Sequence, residues 1–246
     1  MTTSRVRLDQ LLVQCGGAES REKAQRLIRA GKIRVDGQVQ TKPGHLFAPD
    51  VAIDVASPEK FVSRGGEKLE TAFREFNLDA SGVIAADIGA STGGFTDCLL
   101  QHGARKVYAV DVGHGQLHWN LRNDPRVVVR DGINARLLDP SLFDEKPSFA
   151  VIDVSFISLT LVLPPLVAAL CRPAQIITLI KPQFEAGRAD VGKNGVVRDP
   201  AIHKAVVERI RKFGEETLGL KWCGVCASAI KGPAGNIEFL AWWKLV

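Results

Sequence analysis

The sequence predicts an α/β protein with a mostly parallel, doubly wound sheet, preceded by a small α+β domain. From Val83 onward, apolar runs typical of buried strands alternate with helical patterns, which indicates a parallel sheet covered by helices on both faces. The positive charge is also unevenly distributed. Residues 1–42 carry nine Lys/Arg and four Asp/Glu, whereas the other 204 residues carry 23 of each. We therefore expect a basic polyanion-binding domain followed by a near-neutral one.

The first domain is predicted to span residues 1–57. Apolar spacing predicts a helix over Arg7–Gly16, and Ser20 is in position to cap a second helix. Asp36-Gly37 is a turn dipeptide between two short strands, and Val51–Ala56 has the composition of a further strand.

The run RLDQLLVQCGGAESREKAQRLIRAGKIRVDGQVQTKPG resembles an S4 RNA-binding domain. Because this run contains few aromatic residues, we do not expect it to stack on bases. We expect it to contact phosphates and to recognise the shape of the RNA. The predicted RNA contacts are the basic residues of this region and one just after it: Arg5, Arg7, Arg21, Lys23, Arg26, Arg29, Lys32, Arg34 and Arg64.

A polar linker is predicted over residues 58–62, and the second domain over residues 63–246. Its first helix is predicted to begin near Arg64. Asp199 is placed to cap a long helix that reaches Leu218, with Pro200 at its first position. A helix predicted over 160–170 contains two prolines that would bend or restart it. Seven strands are expected: one from Val83, then 106–113, 126–132, 149–158, 176–184, 221–230 and 236–245, the last of them antiparallel.

The stretch Val83–Phe95, VIAADIGASTGGF, predicts a strand, a glycine turn and a helix. This arrangement brings backbone N–H groups and a helix N-terminus close to a nucleotide-like ligand. The turn lacks the Gly-Lys-Ser/Thr ending of a triphosphate-binding loop. Acidic residues also end successive strands: Asp87 could orient the turn or act through water, Asp111 could accept bonds from ribose hydroxyls, and Asp131 could contact an adenine amino group.

The spacing from Gly89 to Asp111 permits either a nicotinamide dinucleotide or S-adenosylmethionine, and the antiparallel closing strand favours the latter. An NAD-dependent oxidoreductase is therefore one alternative. The candidate cofactor-binding residues are Asp87, Gly89, Ala90, Ser91, Thr92, Gly93, Gly94, Phe95, Asp111, Val112, Asp131 and Gly132.

The run DIGASTGGFTDCLLQHGARKVYAVDVGHGQL resembles the cofactor-binding region of FtsJ/RrmJ ribose methyltransferases. Together with SRGGEKL, DVSFISL, KPQFE and GPAGNIEF, it makes almost the whole chain similar to the TlyA (haemolysin A) family. The resemblance implies a Rossmann-like class I methyltransferase sheet. It also implies S-adenosylmethionine-dependent 2′-O-methylation of cytidine in ribosomal RNA.

The resemblance further implies a catalytic tetrad of Lys68, Asp153, Lys181 and Glu238. A lysine is normally protonated at neutral pH, so a base role requires surroundings that favour the neutral amine. A neighbouring cation and partial burial do so. We therefore expect Lys181 to be the general base beside Lys68, with the two acids directing the amines.

The amino-acid composition limits which other functions and cellular locations are expected. The chain is 46% hydrophobic, no apolar run reaches the roughly 18 residues of a membrane span, and the five cysteines do not suggest a disulfide framework. We expect a cytoplasmic monomer without a metal, whose partners are ribosomal RNA or ribosomal subunits rather than a membrane. Two further alternatives are a non-catalytic RNA-binding or ribosome-assembly protein and a membrane-active haemolysin.

Overall fold

A computed structural model describes residues 5–56 and 60–246. The chain divides into two compact units, Met1–Glu59 and Lys60–Val246. Pro58 and Glu59, the first two residues of the predicted linker, lie outside the described residues, as do residues 1–4 and Ser57.

The first unit is a small α+β structure, as predicted. Its elements are β1 (Val6–Arg7), α1 (Leu8–Gln14), α2 (Arg21–Arg29), β2 (Ile33–Val35), β3 (Gln38–Gln40), β4 (Leu46–Phe47) and β5 (Ile53–Val55). Strands β3, β2 and β5 form an antiparallel sheet, and β1 pairs with β4.

Local sequence signals explain the two joints of this unit. The Ser20 hydroxyl accepts a hydrogen bond from the Lys23 N–H at 3.2 Å, which confirms it as the cap of α2. Asp36 and Gly37 both have positive φ, +49° and +77°, as a tight hairpin turn requires. The predicted hairpin is therefore confirmed.

The second unit contains the larger sheet. Its elements are α3 (Gly65–Phe76), β6 (Ile84–Ile88), α4 (Gly94–Gln101), β7 (Lys106–Val110), α5 (Trp119–Arg122), β8 (Val127–Arg130), β9 (Phe149–Ile152), α6 (Leu159–Ala169), β10 (Ala174–Ile180), α7 (Pro182–Glu185), α8 (Pro200–Lys212), β11 (Lys221–Ala227) and β12 (Phe239–Leu245).

Seven strands form this sheet in the order β11-β12-β10-β9-β6-β7-β8. Strand β12 is antiparallel to both neighbours, β10 and β11, whereas β10, β9, β6, β7 and β8 are mutually parallel. The predicted fold class, including the antiparallel last strand, is confirmed. The chain order reverses between β6 and β9, so a ligand crevice is expected beyond the carboxyl ends of these two strands.

Alternating side chains of the strands bury the two faces of the sheet. In β9, Phe149 and Val151 pack in one cluster with α3 and α4, whereas Ala150 and Ile152 pack in the other with α6 and α8. All four side chains are fully buried. Because helices cover both faces of the sheet, its parallel strands are continuous apolar runs, and these runs allow the strands to be predicted from the sequence.

Five of the predicted strands end earlier than expected, and candidate catalytic residues follow two of them. The strand predicted over 149–158 ends at Ile152, and that predicted over 176–184 ends at Ile180. Pro182 has no N–H for the ladder, so the chain turns into α7 instead. Asp153 and Lys181 are therefore the first residues beyond their strands, at the edge of the crevice.

Two helices also differ from expectation. Helix α6 contains Pro164 and Pro165 yet runs without interruption from Leu159 to Ala169, and Leu163 and Leu166 on either side of them are buried in the core. Asp199 caps α8 as predicted, and the last part of the predicted helix is a π-helical segment, Phe213–Thr217. Among the described residues, no helix has the length and apolar character needed to cross a membrane.

Candidate active site

The glycine turn after β6 packs directly on the loop after β9. Gly89 has a φ of +86°, and a Cβ there would overlap the carbonyl oxygen of Asp153. The positive φ and the close contact with Asp153 each disfavour any residue that has a Cβ. The Gly89 and Ala90 N–H groups donate to the Val110 carbonyl at the end of β7. The turn is therefore fixed to both neighbouring strands.

Asp111 joins the same turn to the loop after β7. Its carboxylate accepts hydrogen bonds from the Ser91 N–H at 2.8 Å and from the Gly113 N–H at 2.7 Å. Ser91 adopts a positive φ of +49°, which directs its N–H toward this carboxylate. Asp111 is the first residue beyond β7, which agrees with its predicted position at the end of the second strand.

A cavity of about 930 Å³ opens beside Asp111. Apolar side chains of Val110, Ile133 and Val154 line it together with the carboxylates of Asp111 and Asp153. Apolar walls with a few polar groups are typical of small-molecule sites.

A second cavity of about 400 Å³ adjoins the first, and Gly89, Ser91, Asp153 and Ser155 line both. Lys68, Lys181 and Arg64 are on its wall, together with residues of the loop that precedes Glu238. The two cavities therefore meet at the carboxyl ends of β6 and β9.

Two ion pairs lie beside the smaller cavity. Lys68 Nζ on α3 is 2.6 Å from Glu238 Oε2, just before β12, and Lys181 Nζ is 2.6 Å from Asp153 Oδ1. Glu238 is almost fully buried, and both lysines are about 8% exposed. Gln183 donates to the second oxygen of Glu238 at 3.4 Å. Lys68, Asp153 and Lys181 thus line one cavity, and Glu238, 170 positions after Lys68, pairs with that lysine without lining either cavity.

Asp87 lies behind the glycine turn. It is fully buried, its Oδ2 accepts a hydrogen bond from the Thr96 hydroxyl at 2.6 Å, and its Oδ1 has no hydrogen-bond partner among the described residues. Burial raises the pKa of this carboxyl to about 7, with smaller contributions from the charges of Asp153 and Asp111, and the Thr96 bond offsets part of the rise. Asp87 lines neither cavity.

The other candidate cofactor residues fall into two groups. Val112 lines the larger cavity, and the smaller one is lined by Ala90, Thr92, Gly94 and Phe95. Besides Asp87, three more candidates line neither cavity: Gly93, Asp131 and Gly132.

The environments of Gly93 and Asp131 explain their positions outside the cavities. Gly93 faces the side chains of Leu117 and Leu121. Asp131 accepts hydrogen bonds from Arg122 at 2.8 Å and from the Gly115 N–H, and the Arg122 bond lowers its pKa.

Several cavity residues were not among the sequence candidates. They include the exposed ring of Phe156, which has a φ of +63°, the nearby ring of Phe184, and Ser155. Asn134 and Arg136, in the loop after β8, also line the larger cavity. Each comes within a few residues of a strand end, which is the signal that identified the acidic candidates. The same rule, extended to residues other than acids, could have found them.

In the first unit, Arg7 and Arg21, both predicted RNA contacts, pair with a buried carboxylate. Asp9 is fully buried and accepts hydrogen bonds from Arg7, Arg21 and Gln25. The Arg7 bond, reinforced by Gln25 and Arg21, holds the pKa of Asp9 well below its usual range. Arg7 and Arg21 therefore stabilise this unit, whatever else they contact.

The remaining predicted RNA contacts are more open. Arg34 is exposed and donates to the Gly37 carbonyl, and Lys32 is half-buried. Five others are exposed: Arg5, Lys23, Arg26, Arg29 and Arg64.

One group of potential metal ligands occurs among the described residues, formed by Glu70, Cys98 and His102. Glu70 already accepts hydrogen bonds from the Lys60 ammonium at 2.6 Å and pairs with His102 at 2.8 Å. Burial raises the pKa of the Cys98 thiol, which disfavours the thiolate that binds metals. The group therefore has the character of an internal hydrogen-bond network.

Comparison with known proteins identifies both parts of the chain. Residues 61–245 match the family model described as FtsJ-like methyltransferase, and residues 6–52 match the S4 domain. The 16S/23S rRNA (cytidine-2′-O)-methyltransferase TlyA of Mycobacterium tuberculosis is 46% identical, over 98% of this chain and 90% of that protein.

Solved structures agree with these matches. The structure of a "Putative hemolysin from Streptococcus thermophilus" is 45% identical, with a TM-score of 0.75, over 99% of this chain and 89% of that one. A SAM-dependent methyltransferase from Aquifex aeolicus shares the fold at 18% identity, with a TM-score of 0.51, over 75% of this chain and 95% of that one. The chain is thus an FtsJ-like methyltransferase of the TlyA (haemolysin A) family with an N-terminal S4 domain.

Proposed function

We propose that this protein methylates the ribose 2′-oxygen of a cytidine in ribosomal RNA, with S-adenosylmethionine as the methyl donor. The observation that carries the proposal is the convergence of two lysines and two acids beside a pair of adjoining cavities. The activity in the name of the Mycobacterium tuberculosis relative supports the choice of substrate.

The larger cavity has the properties that the donor requires. Its volume of about 930 Å³ and its apolar walls suit a nucleoside, and the carboxylates of Asp111 and Asp153 suit ribose hydroxyls and a positively charged sulfur. Asp111, Val112 and the turn from Gly89 to Phe95 would hold the donor. When bound, it supplies a methyl carbon whose bond to sulfur breaks as the 2′-oxygen takes the methyl group.

In the proposed mechanism, Lys181 accepts the proton that the 2′-hydroxyl loses. Lys68 is a second cation on the wall of the same cavity. Asp153 is close enough to limit the repulsion between the two amines, and Glu238 holds Lys68 in place. Positioning of the hydroxyl against the methyl carbon would supply much of the rate.

The S4 domain supplies the proposed RNA contact. The basic residues exposed on α2, Lys23, Arg26 and Arg29, suit phosphates, and Arg64 on the smaller cavity suits a phosphate near the target ribose. We propose domains over residues 1–57 and 63–246 joined by a linker over 58–62. We further propose that the protein is cytoplasmic, because ribosomal RNA is made and assembled in that compartment. We also propose that it is a monomer.

The test is methyl transfer by the purified protein to ribosomal RNA from cells that lack the gene. A labelled donor followed by mass spectrometry of RNA fragments should locate one label per target, on a cytidine ribose. Lys181→Met should reduce the rate at least about 100-fold. Lys212→Met, an exposed lysine on α8, is the matched control and should retain the wild-type rate.

Two results would overturn the proposal. Absence of label despite tight RNA binding would favour a non-catalytic ribosome-assembly protein. Label on a base, or an active Lys181→Met variant, would refute ribose methylation by this tetrad. Leakage of dye from lipid vesicles, measured on the same preparation, would reveal a membrane activity.

A further inference from the structure

We propose that Ser155 is a positioning residue that sets the direction of the Lys181 amine. This inference rests on the proposed function, because it concerns how the base is presented to the 2′-hydroxyl. Ser155 lines both cavities, two residues after Asp153.

The contacts of the Lys181 amine divide into a directional one and an electrostatic one. Nζ donates a hydrogen bond to Ser155 Oγ at 2.9 Å. Nζ also lies 2.6 Å from Asp153 Oδ1, but this oxygen has no properly angled hydrogen-bond partner among the described residues. Asp153 therefore contributes charge, whereas Ser155 contributes orientation.

Orientation matters because a neutral amine has one lone pair and two N–H bonds. The amine rotates about its carbon–nitrogen bond unless an acceptor fixes one N–H. With one N–H on Ser155, the lone pair is confined to directions away from that hydroxyl, within the smaller cavity that Lys181 lines. A correctly directed base is in hydrogen-bond reach of the proton it removes.

A hydroxyl is also better suited to this position than a carboxylate. Serine accepts a hydrogen bond without adding negative charge, so it orients the amine with little additional stabilisation of the ammonium form. A second carboxylate beside Asp153 would favour the protonated lysine and oppose its role as a base.

The loop that carries Ser155 is fastened to the segment that carries Lys181. Glu185, at the end of α7, accepts hydrogen bonds from the Ser158 hydroxyl and from the Leu159 N–H, each at 2.7 Å. Glu185 is almost fully buried, and Arg209 on α8 pairs with it at 3.0 Å. This link keeps the loop after β9 opposite the start of α7, and so Ser155 opposite Lys181.

The experiment compares three substitutions at Ser155 by steady-state methyl transfer to ribosomal RNA. Ser155→Ala should lower kcat about 10- to 100-fold, with KM for donor and RNA changed less than about threefold. Ser155→Thr retains the hydroxyl and should restore most of kcat. Ser155→Asp should shift the acid limb of the kcat–pH profile to higher pH, because it favours the protonated amine. Ser81→Ala, an exposed serine before β6, is the control.

The outcomes separate this inference from the proposed function. An inactive Lys181→Met together with a Ser155→Ala variant of wild-type kcat and pH profile would overturn the inference alone. An active Lys181→Met would overturn the proposed function. In the Lys181→Met background, Ser155→Ala should have no further effect on rate, since its effect is exerted through the lysine. Thermal melts and calorimetric binding of the donor check that each variant is folded. A Ser155→Thr variant that is no faster than Ser155→Ala would also refute the inference.

Discussion

The charges of the tetrad are held by burial as much as by pairing. Lys68 and Glu238 form a pair from which solvent is nearly excluded, with side-chain exposures of 11% and 0%. Such a pair contributes little net stability compared with apolar residues, but removal of one partner leaves a buried charge uncompensated. The pair therefore constrains the residues around the smaller cavity.

Lys68→Met should both inactivate the protein and destabilise it. The lone Glu238 carboxylate costs about 3 kcal/mol of unfolding free energy, and the double variant Lys68→Met/Glu238→Gln should recover part of that loss without recovering activity. Denaturant unfolding and methyl transfer measure the two effects. Equal stability of the single and double variants would contradict the role given to the pair.

Asp87 should make stability depend on pH in a specific window. Its folded-state pKa of about 7 lies above the ordinary value of 3.8, so the folded protein binds a proton that the unfolded chain has released. Stability should therefore fall as pH rises through this interval, by about 1.4 kcal/mol per pH unit, and level off above pH 7.

Asp87→Asn removes this titration and keeps an acceptor for Thr96. The difference in unfolding free energy between variant and wild type should grow in favour of the variant by about 2 kcal/mol from pH 5 to pH 7. Chemical denaturation at several pH values measures it. A difference that is constant over the range would show that Asp87 is ionised normally in the folded state.

At the scale of elements, the site depends on how closely one loop packs on another. The turn after β6 can lie against the loop after β9 only because Gly89 has no side chain. One backbone contact between neighbouring parallel strands therefore sets the position of Asp153 relative to the glycine turn.

Gly89→Ala should displace Asp153 as well as strain the turn. A matched control exists in Gly82, which also has a positive φ, +70°, but has open space where a Cβ would be. Gly82→Ala should cost about 1–2 kcal/mol of stability and leave donor binding intact. Gly89→Ala should cost more and weaken donor binding at least about tenfold, as measured by calorimetry. Similar binding by both variants would show that the contact is not needed.

At the scale of the whole molecule, charge is separated along the chain. The net charge of +5 is accounted for by residues 1–42, and the rest of the chain is neutral overall. We therefore expect the first unit to supply most of the salt-dependent part of the proposed RNA binding.

Replacing Lys23, Arg26 and Arg29 together by glutamine should weaken RNA binding and flatten its salt dependence. The slope of log affinity against log salt should fall by about 1 for each phosphate that the variant no longer neutralises. Lys204, Lys212 and Lys221, three exposed lysines of the second unit, provide a control substitution of equal charge. Filter binding at several salt concentrations measures the slopes, and equal changes in both variants would contradict an N-terminal RNA site.

The layer architecture, the seven strands and the antiparallel last strand could all be predicted from the amino-acid sequence. These follow from periodicity and from local turn chemistry such as the Ser20 cap and the Asp36-Gly37 turn, which act over a few residues. The exact strand ends did not follow, because hydrophobicity continues past Ile152 and Ile180 after the ladder has stopped.

The set of polar residues that share a cavity could not be predicted in the same way. Asp131 and Asp111 follow neighbouring strands in the same way, yet Asp111 lines the larger cavity and Asp131 pairs with Arg122. Arg7 and Lys23 are equally basic in sequence, yet Arg7 serves a buried carboxylate. Ser155 is uncharged and belongs to no periodic pattern, so the local sequence does not predict its hydrogen bond to Lys181. That bond forms because the fold places two strand ends side by side. Hydrogen bonds and ion pairs depend on distances between residues far apart in the chain, and that information is absent from local periodicity.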